Sequence, residues 1–158
     1  MTLKRIDAGK RMSSAVIHGG KVYLAGFVAE AAAGKSVTEQ TRDILGQIDT
    51  VLKKAGTSKT NIIKANIWLT DIKTFNDMNA AWDAWVVPGQ TPARATVESK
   101  LAAPGLDVEI MVEAAILKPA ARRPASAATR AAKANARKAS KTVPTKAARK
   151  AARKARKS

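Results

Sequence analysis

Apolar and polar positions divide this chain into short segments of period two and two longer ones of helical period. Ser14–His18 and Lys21–Ala29 flank Gly19–Gly20, a pair that supplies the positive φ angles of a tight hairpin turn. The second run, VYLAGFVA, is continuously apolar, as expected of a central strand covered on both faces. Ile44, Leu45, Ile48, Val51 and Leu52 form one helical stripe, predicting a helix from about Val37 to Ala55. Ser36 or Thr38 is placed to cap it, with Glu39 in the first turn, Lys53 and Lys54 in the last, and Gly56 at the C-cap. Asn61–Leu69 alternates as a strand, with Ala65, Ile67 and Leu69 on one side and Lys64, Asn66 and Trp68 on the other. Phe75, Met78, Trp82, Trp85 and Val86 predict a second helix over about Thr74–Val87, ended by Pro88 and Gly89. Strands at about Ala93–Ser99 and Asp107–Ile116 follow, separated by Pro104–Gly105.

The order β-β-α-β-α-β-β implies an α+β domain, one mixed β-sheet with two helices packed on one face. Several strands are apolar on both sides, so burial of the other face by further subunits is expected. Trp68 points away from the Ile67 and Leu69 side, onto either a bare sheet surface or a subunit contact.

Charge divides the chain again. Residues 1–117 carry 14 Lys and Arg against 12 Asp and Glu, whereas 118–158 hold 15 Lys and Arg and no acid. Of the net charge of +17, +15 therefore belongs to the tail, and two domains are assigned, 1–117 and 118–158. The tail, Lys118–Ser158, is Ala-, Lys- and Arg-rich with Val143 its only large aliphatic side chain. It cannot bury a core, so it is expected to be disordered in isolation and to become helical on a polyanion. Fifteen cations without acids form a counterion-release surface for DNA or RNA phosphates, without base readout. A solubilising extension is the plainer alternative.

There is no cysteine, which excludes disulfides and thiol nucleophiles, and the single histidine, His18, excludes His-rich metal sites. No apolar run approaches the roughly 20 residues of a membrane span, and the N-terminus lacks a signal-peptide core. A cytoplasmic protein, nucleoid-associated through its tail and without membrane contact, is the expectation. His18 reads as a solvent-facing hairpin residue, Ser13 and Ser14 as strand-start polar groups, and Asp71, Asp77 and Asp83 as helix-start and helix-surface acids.

The informative chemistry lies in Thr91–Ile116. Arg94, Thr96 and Glu98 share one face of their strand, and Asp107, Glu109, Met111 and Glu113 share one face of the next. If the two strands pair as neighbours, Arg94 and Glu109 fall on one sheet face near its edge. Two readings stay open: an ion pair on a solvated face, or an anion site where an arginine fork holds a carboxylate and a glutamate activates water.

At these residues the sequence resembles the RidA/YjgF family. The blocks AVIHGGKVYLAG, EQTRDILGQIDTVLKKAG, IIKANIWLTDIKTFNDMNAAWDAW, PARATVE and VEIMVEAA occur in register across Arg5–Ile116. The resemblance implies a chorismate-mutase-like (RidA) fold and a homotrimer with three clefts at the subunit interfaces. It also implies enamine/imine deaminase chemistry, in which reactive 2-imino acids such as 2-aminoacrylate become 2-keto acids and ammonia, with no cofactor. By that likeness Arg94 holds the substrate carboxylate and Glu109 positions the attacking water. The same likeness implies that Asn79 and Gly26 line the cleft, and Thr96, two residues after Arg94, is expected to bind substrate with them. The chain departs from deaminase-type members in carrying Met12 for a tyrosine, Ala25 for a serine and Thr96 for a cysteine. A non-catalytic trimer that binds small carboxylates, or associates with nucleic acid, is the competing reading.

Overall fold

The computed structural model describes residues 2–117. The expectations placed on the tail, Lys118–Ser158, lie outside the described residues. Seven strands and two α-helices build the described part: β1 (Lys4–Ala8), β2 (Ser13–His18), β3 (Lys21–Leu24), β4 (Phe27–Val28), α1 (Val37–Ala55), β5 (Ile62–Leu69), α2 (Phe75–Trp85), β6 (Ala93–Glu98) and β7 (Val108–Ala115).

Helix α1 takes the bounds its stripe predicts. Ser36 rather than Thr38 is the N-cap, and a capping box joins it to Glu39. The Ser36 hydroxyl donates to the Glu39 carboxylate at 2.7 Å, while the Glu39 N–H donates to the Ser36 hydroxyl oxygen at 3.3 Å. At the other end Gly56 takes φ 81 and donates its N–H to the last carbonyls, a left-handed cap that β-carbons disfavour. Ile44, Ile48 and Leu52 are fully buried, so the stripe is the contact face.

The strands form one mixed sheet in the order β1-β2-β3-β7-β5-β6, with β4 also pairing to β7. Every neighbouring pair is antiparallel except β5 and β6. A parallel pair needs a crossover, and α2 supplies it. Ala15, Val22, Ala65, Ile67, Leu69, Val108, Ile110 and Val112 face α1 and α2 in a single core. Among the described residues no helix is long and apolar enough to cross a membrane.

The structure corrects the sequence-based expectations in four places. Lys4–Ala8 is a strand that periodicity misses, because Ile6 is its only buried residue. The run Lys21–Ala29 is broken into β3 and β4, since Tyr23 pairs with Glu113 whereas Phe27 pairs with Ile110. The intervening shift of one residue is a β-bulge around Ala25 and Gly26, a device that bends a strand and re-aims its side chains. Helix α2 ends at Trp85, with Val86 already extended. Finally, β6 and β7 are not neighbours: β5 lies between them.

The capping box gives the first prediction. The Glu39 carboxyl is held below its ordinary range, first by the Ser36 hydroxyl and then by the Ser36 backbone N–H. A folded-state pKa below the unfolded one means stability present above the unfolded carboxylate pKa and lost as pH falls through the folded value. Ser36→Ala is expected to cost about 1 kcal/mol, and Glu39→Gln to flatten part of the acid limb in thermal melts recorded against pH.

Candidate functional site

Insertion of β5 decides where the candidate residues stand. Ala65 of β5 pairs with Arg94 on one side and Val112 on the other. Trp68 pairs with Val97 and with Glu109. Paired residues share a face and residues three apart on a strand do not. Arg94 therefore lies on the helix-covered face and Glu109 on the open one. The expectation that the two share one face is overturned, because it assumed adjacent strands. An ion pair between them is overturned by the same register.

On the helix side, Arg94 is half-buried beside α2. Its guanidinium carbon lies 5.1 Å from the centroid of Trp82 and 5.7 Å from that of Phe75. Phe75, Asn79 and Trp82 follow at helical spacing, so Asn79 stands on the same stripe of α2. Thr96, two residues after Arg94, shares its strand face. The Oδ1 of Asn79 and the Oγ1 of Thr96 are both buried without a hydrogen-bond partner among the described residues. Buried polar atoms are rarely left unmet unless a water or ligand serves them. Arg94, Asn79 and Thr96 thus lie on the same side of the sheet, with Arg94 over the rings of α2.

Gly26 and Glu109 make a second group. A β-carbon built on Gly26 would overlap the Glu109 carboxyl, meeting Cδ at 2.9 Å and Cγ at 3.2 Å. The glycine leaves room for the Glu109 carboxyl beside the bulge, a space that a β-carbon would take. Gly26 also opens onto a recess of about 450 Å³ lined by Phe27, Val28, Glu30, Asp43 and Gln47. The open face of the sheet carries Tyr23, Trp68, Val97 and Met111 around Glu109, and Tyr23 and Val97 are 40% and 48% exposed. Trp68 does point away from the core, as its place in the alternation predicts.

The remaining candidates keep minor roles. His18 is exposed on the hairpin, Ser13 and Ser14 are half-buried in β2, and Met12 is exposed. The Asp71 side chain accepts from the Lys73 N–H at 2.9 Å, a turn contact, while Asp77 and Asp83 are exposed on α2. Among the described residues no group of three His, Asp or Glu could hold a metal ion. Phe75 and Trp82 are the site neighbours that periodicity assigned only to the core. Their spacing is that of any buried stripe, so the sequence carries no separate signal for them.

Chemically, Arg94 can take a carboxylate through two N–H donors, and Glu109 can accept a proton from water. Comparisons with known proteins agree on the ancestry of the chain. The family profile described as Endoribonuclease L-PSP matches residues 2–116. A RutC family protein of Haemophilus influenzae is 45% identical over 112 residues, 71% of this chain and 97% of that protein. The RutC family protein YoaB of Escherichia coli K12 is 46% identical over 116 residues, 73% of this chain and all of that protein. A solved YjgF-family structure from Neisseria meningitidis superposes with a TM-score of 0.73 at 39% identity, covering 75% of this chain and 98% of its own. The chain belongs to the RidA/YjgF (RutC) family and has its fold.

Proposed function

We propose that this protein is an enamine/imine deaminase that acts as a homotrimer, with its basic tail bound to nucleic acid in the cytoplasm. The observation that carries the reading is Arg94: a half-buried cation that no acid meets among the described residues, on an aromatic bed beside two unserved polar atoms. Such a cation fits a small carboxylate, and Asn79 and Thr96 would meet that ligand's remaining polar groups.

Glu109 stands on the opposite sheet face, so one chain does not close the site by itself. A trimer would bring the Arg94 face of one copy against the Gly26–Glu109 face of the next. The exposed apolar side chains around Glu109 favour such burial. In the reaction, water adds to the carbon of the protonated imine while Glu109 takes one of its protons, giving a neutral carbinolamine. Glu109 returns that proton to the amine nitrogen, and as the C–N bond breaks the hydroxyl proton passes to Glu109, so that a 2-keto acid and ammonia leave. Arg94 holds the carboxylate throughout. A ribonuclease reading finds less support, because the chain's one histidine is exposed at the hairpin.

Imino acids generated in situ by an amino-acid oxidase test the chemistry. Arg94→Ala and Glu109→Gln are each expected to lower kcat/KM about 100-fold. No rate gain over buffer with the parent protein leaves the non-catalytic carboxylate binder standing instead. Mixing Arg94→Ala and Glu109→Ala chains at equal ratio, unfolded and reassembled, should restore about a quarter of the clefts if each draws on two copies. Recovery of no activity would refute the shared cleft. Gly26→Ala should melt close to the parent, because the Glu109 carboxyl can swing aside, yet lose turnover for that reason; full activity would remove the role given to Glu109.

The tail makes a separate prediction. Truncation after Leu117 should abolish DNA retardation, and retardation by the full chain should weaken steeply with salt, as phosphate contacts do. Binding that survives truncation would overturn the assignment.

A further inference from the structure

We propose that Trp82 and Phe75 are positioning residues for the ligand carboxylate: they hold the Arg94 guanidinium through its charge and leave its N–H donors free. This inference rests on the carboxylate reading of Arg94 above. A functional arginine must be held in place yet remain unneutralised. The usual anchor is an acidic partner, which fixes the fork but occupies the same N–H groups that an incoming carboxylate needs. Among the described residues neither an acid nor any other acceptor meets Arg94. The nearest charge on its strand face, Glu98, is engaged elsewhere, accepting from the Ile72 N–H at 3.0 Å.

Aromatic faces solve that conflict, because they attract a cation by their quadrupole and accept no hydrogen bond in the plane of the fork. Both ring centroids lie inside the range where the attraction is significant, at 5.1 and 5.7 Å. The two rings stand two turns apart on one stripe of α2, and α2 is tied down by its own packing. Trp82 is buried and packs in a tilted arrangement, centroids 5.4 Å apart, against Trp85, whose indole N–H donates to Asp49 of α1 at 2.9 Å. The position of the guanidinium is thereby referred to the α1–α2 pair rather than to a loop. Phe75 is 37% exposed, so it reaches the rim of the site while Trp82 forms its floor.

The test is titration of the full-length protein with 2-oxobutanoate, with the Arg94 Nε–Hε resonance followed by NMR. Phe75→Leu, at a half-exposed position, and Trp82→Leu should each weaken binding about fivefold to tenfold. Trp82→Phe should recover most of the loss, since a phenyl ring keeps the cation–π contact. The upfield ring-current shift of the Arg94 resonance should shrink in both leucine variants with no ligand present. Leu52→Ala, which opens a cavity at a fully buried α1 position, is the packing control and should leave both affinity and resonance close to the parent.

Equal losses in Trp82→Leu and Leu52→Ala would mean general loosening of the packing and would overturn the proposal. Unchanged affinity in both Phe75→Leu and Trp82→Leu, with binding lost in Arg94→Ala, would overturn it too while leaving the carboxylate reading intact. Absence of binding by the parent protein at millimolar acid would instead remove the carboxylate reading, and the positioning role with it.

Discussion

Strand β5 hydrogen-bonds to β7 along one edge and to β6 along the other, and its register governs the rest of the molecule. Ala65, Ile67 and Leu69 are fully buried against the helices. A slip of one residue would send Lys64, Asn66 and Trp68 into the core. Because that register is fixed by burial, so are the faces of everything paired to it. Arg94 and Glu109 are assigned to opposite sides of the sheet by the same alternation that builds the core.

Separation of the two residues shapes their surroundings. Arg94 shares its face with α2 and meets aromatic rings there. Glu109 lies beside the bulge at Ala25 and Gly26, where the absence of a β-carbon makes room for its carboxyl. Each half is locally complete as a surface and incomplete as a site. The open sheet face, with Tyr23, Trp68, Val97 and Met111, supplies the apolar area through which a second copy would join them. In the proposed trimer assembly and chemistry would depend on the same strands, so a change to the open face would alter both.

The departures within the family pattern also acquire positions. Thr96 stands where deaminase-type members carry a cysteine, and its hydroxyl is buried and unserved, so the position keeps a polar group facing the same space. Ala25 lies in the bulge, where its backbone N–H donates to the Ser14 carbonyl at 3.0 Å; its side chain brings no hydroxyl to the Gly26 side. Met12 is 59% exposed.

Local chemistry was legible in the sequence. Ser36, Glu39 and Gly56 bound α1 because capping and left-handed glycine are properties of neighbouring residues. The hairpin at Gly19–Gly20, with φ 57 and 77, follows from two adjacent glycines. Period-two and helical stripes gave the elements and the α+β class, and the family blocks singled out Arg94 and Glu109. Lys4–Ala8 was hidden because one buried isoleucine makes no pattern. Strand adjacency was harder still, since it joins residues distant in the chain. The βαβ unit β5–α2–β6 was the available signal that β6 belongs beside β5. Only the tertiary structure decided that β5 separates β6 from β7, that the bulge brings Gly26 under Glu109, and that Phe75 and Trp82 flank Arg94. Each of these depends on which long-range pairing buries the most apolar surface, and a one-dimensional pattern does not specify that choice.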